Sequence, residues 1–283
     1  MPYPAIDVLL AAFNGAAFIQ AQIQSILDQD YSGMIRIIIR DDGSTDNTVA
    51  LIQAIQQTAL PNQRHIHLLE RTSGQGSVST NFAVLIEAAT ADYMALADQD
   101  DVWMPYKLRI QMDQLLDAEK QYGASTPLLV CSDLTVVDAQ LQPLHHSFWQ
   151  LQKLDPAWAK SSANLLVQNV VTGCTTLFNR AAKSIILPIP TENGVFHDHW
   201  MAAAVAHHGY VIPLHEQTVL YRQHGNNVEA AHAFDGGYQR QKLAQLGRII
   251  QRSQSIAKAL QQPKGRTVLV WHKLRLNIKR LFL

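Results

Sequence analysis

The sequence predicts an α/β fold, a Rossmann-like and mostly parallel central sheet flanked by helices, and three observations carry that prediction. Strand-like and helix-like segments alternate through the N-terminal part of the chain, the strand-like ones are apolar nearly throughout, and each ends in a polar turn. In order, "AIDVLLAAF", "MIRIIIRDD", "HIHLLE" and "YMALADQDD" read as strands, separated by the helical stretches "FIQAQIQSILDQ", "TVALIQAIQQ" and "NFAVLIEAAT". Ile19, Ile23, Ile26 and Leu27 recur at the three-to-four spacing of one helix face, whereas strands covered on both faces of a parallel sheet show no alternation. The turns "NGAA", "DDGSTDNT", "RTSGQGS" and "DQDD" are expected to line one crevice, because open α/β sheets bind ligands at the carboxyl ends of their strands.

From about Pro105 the pattern loosens into a mixed sheet with one central helix, "HDHWMAAAVAHHG", followed by the strand "YVIPLHEQTVLYRQH". The expected organisation is a first half at 1–105, a second half at 106–235 and a tail at 236–283. With 283 residues and 47% hydrophobic content, the chain has ample material for a core. Cys131 and Cys174 stand far apart without a CxxC partner, so neither a disulfide framework nor a structural zinc site is indicated, and a reducing cytoplasm fits. No apolar run approaches the roughly 18 residues that span a bilayer, and the N-terminus lacks the basic start of a secretory signal, so neither export nor membrane threading is expected.

A formal net charge of zero conceals a segregation of sign. Residues 236–283 hold eleven Lys or Arg and no Asp or Glu, leaving twelve basic and 23 acidic residues before them. Leu243, Leu246, Ile250 and Leu260 suggest an amphipathic helix in this tail; Trp271, Leu274, Ile278 and Leu281 suggest a second, although "KLRLNIKRL" also alternates with period two. Cations interleaved with Leu, Ile, Trp and Phe fit a segment lying on an anionic membrane surface, where each Lys or Arg is worth about 1 kcal/mol. Packing against the acidic body ranks second, and nucleic acid is not an expected partner.

The stretch "LADQDDVWMP" ends an apolar strand with Asp98, Asp100 and Asp101. Unit charges 4 Å apart at an effective dielectric of 20 repel by about 4 kcal/mol unless a cation or proton relieves them. Oxygen ligands of this kind suit Mg²⁺ or Mn²⁺, while capping of the helix that begins near Pro105 explains the same residues when they are taken alone. A second acidic turn, "RDDGSTDNT", follows another strand; capping accounts for Asp46 but poorly for Asp42, whose carboxylate could accept from a pyrimidine N–H or ribose hydroxyls. "SGQGSVSTNF" offers only a partial dinucleotide fingerprint after the third strand, a weak signal.

Taken jointly and in order, "LLAAFNGAAFIQAQIQSIL", "IIIRDDGSTDNT", "ADQDDVWMPYKL", "VTGCTTLFNR", "HDHW" and "LYRQHGNNV" resemble the inverting nucleotide-sugar glycosyltransferases of family 2, with the GT-A fold, over roughly residues 5–230. "DQDDVW" and "YRQH" are most similar to the rhamnosyltransferase-like branch. The resemblance implies a nucleotide-sugar-binding first half, an acceptor-binding second half, and transfer of one sugar to a glycan or lipid-linked acceptor. It further implies Ala11 and Phe13 at the edge of the base, Asp42 on the base, Asp98 toward the ribose, and Asn14 and Gly74 completing the nucleotide-sugar set. Asp100 is implied as the Mn²⁺ or Mg²⁺ ligand with His224 completing the metal site, and Asp198 as the catalytic base. Thr80 stands where many members carry an arginine before the asparagine, and no "QxxRW" pattern follows Asp198. L-Rhamnose from a thymidine diphosphate donor is implied by resemblance alone, and the cationic tail sets the expected site of action in the cytoplasm, peripheral at the inner face of the cell membrane. Trp149, Trp158 and Trp200 fall in the second half, with core packing their expected fate; His197, His199, His207, His208 and His215 are expected at the surface or in packing. A metal-dependent nucleotidyltransferase and a non-catalytic glycan-binding module are the alternatives, and a product assay for pyrophosphate separates the first.

Overall fold

The computed structural model describes residues 3–58, 60–61, 63–71, 76–224 and 231–283. Four apolar strands, β1 (Ile6–Ala12), β2 (Ile35–Asp41), β3 (Arg64–Leu68) and β4 (Tyr93–Asp98), pair in parallel in the order β3-β2-β1-β4. Helices α1 (Ile19–Leu27), α2 (Thr48–Gln56) and α3 (Val78–Ala88) make the crossovers. Ile6, Val8, Leu9 and Leu10 are wholly buried because helices cover both faces of the sheet, each such side chain contributing roughly 1.5–3 kcal/mol through burial. The chain leaves β1 to one side for β2 and later returns to its other side as β4, which makes β1 the switch point. Register brings Ala11 beside Asp98 and Ala12 beside Asp41, so both acidic turns open at the same sheet edge.

The remaining strands continue this sheet with mixed direction: β5 (Val102–Trp103), β6 (Leu128–Val137), β7 (Pro143–His145), β8 (Thr176–Asn179) and β9 (Tyr210–Arg222) extend the order as β4-β8-β6-β9-β5, with β7 on β6. Nine strands thus share one sheet among the described residues. Helix α4 (Lys107–Tyr122) is followed by three short helices, α5 (Phe148–Leu151), α6 (Ser162–Val167) and α7 (Arg180–Ile186), so the second half carries more helix than the single central one expected. Local capping explains the addition: Ser147, Ser161 and Asn179 each accept the backbone N–H that starts a turn. The central helix α8 (His197–His208) is buried from His199 through Val205, the behaviour of a helix that is apolar on every side. Trp149, Trp158 and Trp200 are all core residues. Cys131 and Cys174 are buried free thiols.

The tail forms α9 (Gly236–Ala244), α10 (Leu246–Ala259) and α11 (Arg266–Arg280), resolving "KLRLNIKRL" as helix. Ile250, Ile256, Leu260, Leu269 and Leu276 join the main core, seating α10 and α11 against α6. Of the two apolar stripes read from the sequence, the first is partly inward, with Ile250 and Leu260 buried and Leu243 67% exposed. The second faces out, with Trp271 68% and Ile278 57% exposed. No helix of the described residues is long and apolar enough to cross a membrane.

Candidate active site

A cleft of about 1720 Å³ opens at the carboxyl ends of β1 and β4 and runs across to the tail helices. Its floor is built by hydrogen bonds between turns that are distant in sequence. Gln99, between Asp98 and Asp100, bridges to the first turn twice, accepting from Phe13 N and donating to Phe13 O, each at 2.8 Å. Asn14, with φ of 48°, accepts from Thr45 N at 2.8 Å through its side chain, while its own N–H donates to Ser44 Oγ at 2.7 Å. The second turn is shaped by Asp41, which accepts from the N–H groups of Gly43 and Ser44 at 2.8 Å. Asp46 steadies the start of α2 by accepting from Thr48 N at 3.0 Å.

Asp42 does something different. It is buried, pairs with Arg40 Nη1 at 3.0 Å and accepts from Gly76 N at 3.0 Å. Arg40 also donates to Asn81 Oδ1 at 3.1 Å, so a guanidinium from β2 lies beside Asn81. Ala11, Phe13, Asn14, Asp42, Asp98 and Asp100 all line the cleft. Gly74 lies outside the described residues.

The three aspartates after β4 do not cap the next helix. Helix α4 begins at Lys107 behind Tyr106, with no side-chain cap. They divide instead by depth. Asp98 is half-buried, and burial followed by the charges of Asp100 and Asp198 raises its pKa to about 7. Asp100 Oδ2 meets His224 Nε2 at 2.8 Å at the cleft wall. Asp101 is wholly buried; burial and then the neighbouring carboxylates Asp100 and Asp98 push its pKa well up. Beneath it lie the Cys174 thiol and Lys107, whose ammonium burial lowers to about 7. Lys107 donates to Gln111 Oε1 at 3.0 Å and lies 4.6 Å from the Trp103 ring centroid.

"DQDD" and "YRQH", more than a hundred residues apart, meet because β5 pairs antiparallel with β9, Val102 opposite Leu220 and Trp103 opposite Val219. Arg222 then locks the acidic turn: its Nε donates to Asp100 O at 2.8 Å and its backbone N–H to Asp101 Oδ1 at 3.2 Å. Phe18 stacks on His224 with ring centroids 4.8 Å apart, and the Arg222 guanidinium lies 4.8 Å from the same ring.

Asp198 occupies the first turn of α8, lines the same cleft and is half-buried. Its charge bears on the pKa of Asp98, which ties the two halves of the site together electrostatically. Gly173 lies against this turn: a Cβ there would stand 2.8 Å from His197 Nε2 and 3.6 Å from the Asp198 Cβ. His197 is buried, stacked on Phe82 at 4.2 Å, and kept neutral by burial, its pKa near 3. His199 is likewise buried, with a pKa lowered to about 4. His215 is exposed against the edge of Trp149.

Two donor sets could hold a cation. Asp98, Asp101 and Cys174 place ligand atoms within 4.8 Å of one another, but the thiol and the full burial of Asp101 suit soft metals better than Mg²⁺ or Mn²⁺. Asp100 and His224 at the cleft wall leave room for water and phosphate oxygens, the coordination hard dications favour. Gln99, Arg40, Arg222 and Gly173 were not legible as site residues. All four lie inside the quoted motifs, yet their roles are contacts with other turns.

Strand order, switch-point cleft and acidic turns define a GT-A fold. Comparison with known proteins agrees. The model described as "Glycosyl transferase family 2" matches residues 7–137. An uncharacterized glycosyltransferase of Nostoc sp. is 28% identical over 236 residues, 81% of this chain and 68% of the relative. The dTDP-rhamnosyl transferase RfbG of Shigella flexneri is 25% identical over 242 residues, 82% of this chain and 77% of the relative. Among solved structures, mannosyltransferase PcManGT from Pyrobaculum calidifontis, in complex with GDP-Man and Mn²⁺, superposes with a TM-score of 0.59 at 17% identity, covering 99% of this chain and 74% of that one. Residues 7–137 thus match the family 2 glycosyltransferase model, and the matched relatives support a glycosyltransferase enzyme.

Proposed function

We propose that this glycosyltransferase inverts configuration, depends on Mn²⁺ or Mg²⁺, and moves a single sugar from a nucleoside diphosphate donor to a glycan or lipid-linked acceptor at the inner face of the cell membrane. The observation that carries this reading is the convergence of Asp98, Asp100 with His224, and Asp198 on one cleft. A dication held by Asp100 and His224 would supply charge neutralisation for the departing diphosphate. Asp198 takes the proton of the acceptor hydroxyl, which is a poor nucleophile at neutral pH. Asp42 orients the base and Asp98 the ribose, with Ala11 and Phe13 flanking the base. Similarity to the Shigella relative supports a dTDP-rhamnose donor. An anionic leaflet is the surface that the outer face of α11 fits, since Val268, Trp271, Arg275 and Ile278 share it at three-four-three spacing and all four are exposed.

The test separates base from metal. Replacing Asp198 by Asn should leave donor binding intact while cutting turnover by roughly 10² to 10⁴, the usual yield of a general base. Asp100→Ala should weaken donor binding in Mn²⁺ and remove its sensitivity to EDTA. Undiminished transfer by the Asp198 variant, or donor affinity indifferent to both EDTA and the Asp100 substitution, defeats the assignment.

A further inference from the structure

The tail contributes the far wall of the same cleft, and that wall carries positive charge that no carboxylate among the described residues pairs with. Lys273, from α11, is buried at 8% exposure and donates from Nζ to Gln168 Oε1 at 2.6 Å. Arg280, about two α-helical turns further on, is buried at 2%; its Nη1 reaches the same Gln168 Oε1 at 3.4 Å and its Nε donates to Gln152 O at 3.1 Å. The Arg280 guanidinium stacks over Phe234 at 3.8 Å and lies 5.8 Å from the ring of Tyr238, over which Lys242 Nζ also lies at 5.3 Å. All of these residues line the cleft that Asp198 lines, and no carboxylate among the described residues lies within ion-pair distance of Lys273, Arg280 or Lys242.

Two buried cations sharing one neutral amide oxygen is a costly arrangement, because desolvated like charges repel and an amide dipole compensates neither fully. The local chemistry bears this out: burial, then the charges of Arg280 and Lys242, lower the Lys273 pKa to about 7. Lys273 also bears electrostatically on His199, next to Asp198, so the cluster belongs to the side of the cleft where an acceptor hydroxyl would meet its base. Beside the cations, Leu274 and Leu281 line the same cleft and offer apolar surface. A charge of two to three with hydrocarbon next to it matches a phosphate or diphosphate ester that bears an apolar chain.

We infer that Lys273, Arg280 and Lys242 form an anion subsite that binds the phosphate or diphosphate group of the acceptor and thereby holds the sugar hydroxyl at Asp198. The inference rests on the glycosyl-transfer reading above and names the acceptor class that reading leaves open. The phosphate could be that of a lipid-linked acceptor or of a soluble phosphorylated one.

The full chain, in EDTA to suppress metal-dependent binding at Asp100, is titrated calorimetrically with farnesyl diphosphate and with inorganic pyrophosphate. Both probes should bind, and Lys273→Met and Lys242→Met should each weaken them by roughly ten- to hundredfold, the effect of losing one charge-assisted hydrogen bond. Lys273→Arg should retain binding. A distinctly higher affinity for farnesyl diphosphate supports the inference with a lipid-linked acceptor; equal affinities support it with a soluble one. The inference is overturned if neither probe binds, if both bind the Met variants as well as they bind the parent, or if nucleotide-sugar donor with Mn²⁺ displaces them competitively, which would place the anion in the donor's own diphosphate site. Donor binding, measured in parallel on the same proteins, reports separately on the glycosyl-transfer reading.

Discussion

At the scale of single residues, the site depends on contacts too close for a side chain larger than hydrogen. Gly173 is the clearest case. Its missing Cβ leaves His197 its place against Phe82, and a methyl there would meet a ring atom at 2.8 Å that buried neighbours prevent from moving away. Gly173→Ala should therefore shift the first turn of α8 and misplace Asp198; with Asp198 in its proposed role as base, kcat should fall about tenfold or more with little change in donor KM, since small displacements of such a group are expensive. Steady-state kinetics on the variant decide this, and an unchanged kcat would show that the turn relaxes freely. Lys273 gives a second residue-scale prediction with a defined pH window. Its folded-state pKa of about 7 lies below the unfolded value near 10.4, so between those values the unfolded chain binds more protons and the parent gains stability as pH rises. Arg280 and Lys242 are the charges that face it, and Gln168 accepts its hydrogen bond. Lys273→Met should consequently melt higher than the parent at pH 7, with an advantage that shrinks toward pH 10. A gain that is constant over this range would exclude a buried, depressed lysine.

At the scale of elements, two pairings make a site out of separate motifs. The short β5 against the end of β9 brings "YRQH" onto "DQDD", and α6 receives α10 and α11. The tail is an integral wall. Ile256 is wholly buried in the main cluster, so Ile256→Asp places an unpaired carboxylate in apolar surroundings and should lower stability by several kcal/mol. Denaturant unfolding should register this as a lower midpoint. For the same reason, removing residues 236–283 would strip buried surface from the body as well as any membrane contact, and exposed positions such as Trp271 are the better probes of a surface role. The periodicity of "IQRSQSIAKAL" was legible as amphipathic helix and that of "VLVWHKLRLNI" as helix or period-two alternation, but periodicity cannot say which apolar face finds the core. Burial of Leu269 and Leu276 left Trp271 and Ile278 outside.

At the scale of the whole molecule, one sheet runs through both halves: β4 of the parallel part pairs with β8 of the mixed part, and β6 carries β8 and β9. A shared sheet couples the halves energetically, so calorimetric unfolding should show a single transition for residues 1–235; two resolved transitions would mean that the β4–β8 junction transmits little. The sequence by itself determined the alternation of strands and helices, the gathering of acidic turns at one sheet edge, the family resemblance and the cationic tail, because hydrophobic period and residue type are local properties of a chain. Only the tertiary structure decided that Asp101 is sealed over Lys107 and Cys174 while Asp100 faces His224, that Gly173 spaces Asp198, and that the tail's cations converge on Gln168 inside the cleft. Those outcomes turn on depth and on long-range partners, and a carboxylate or an ammonium has the same letter in a sequence whether it is buried, paired or facing the cleft.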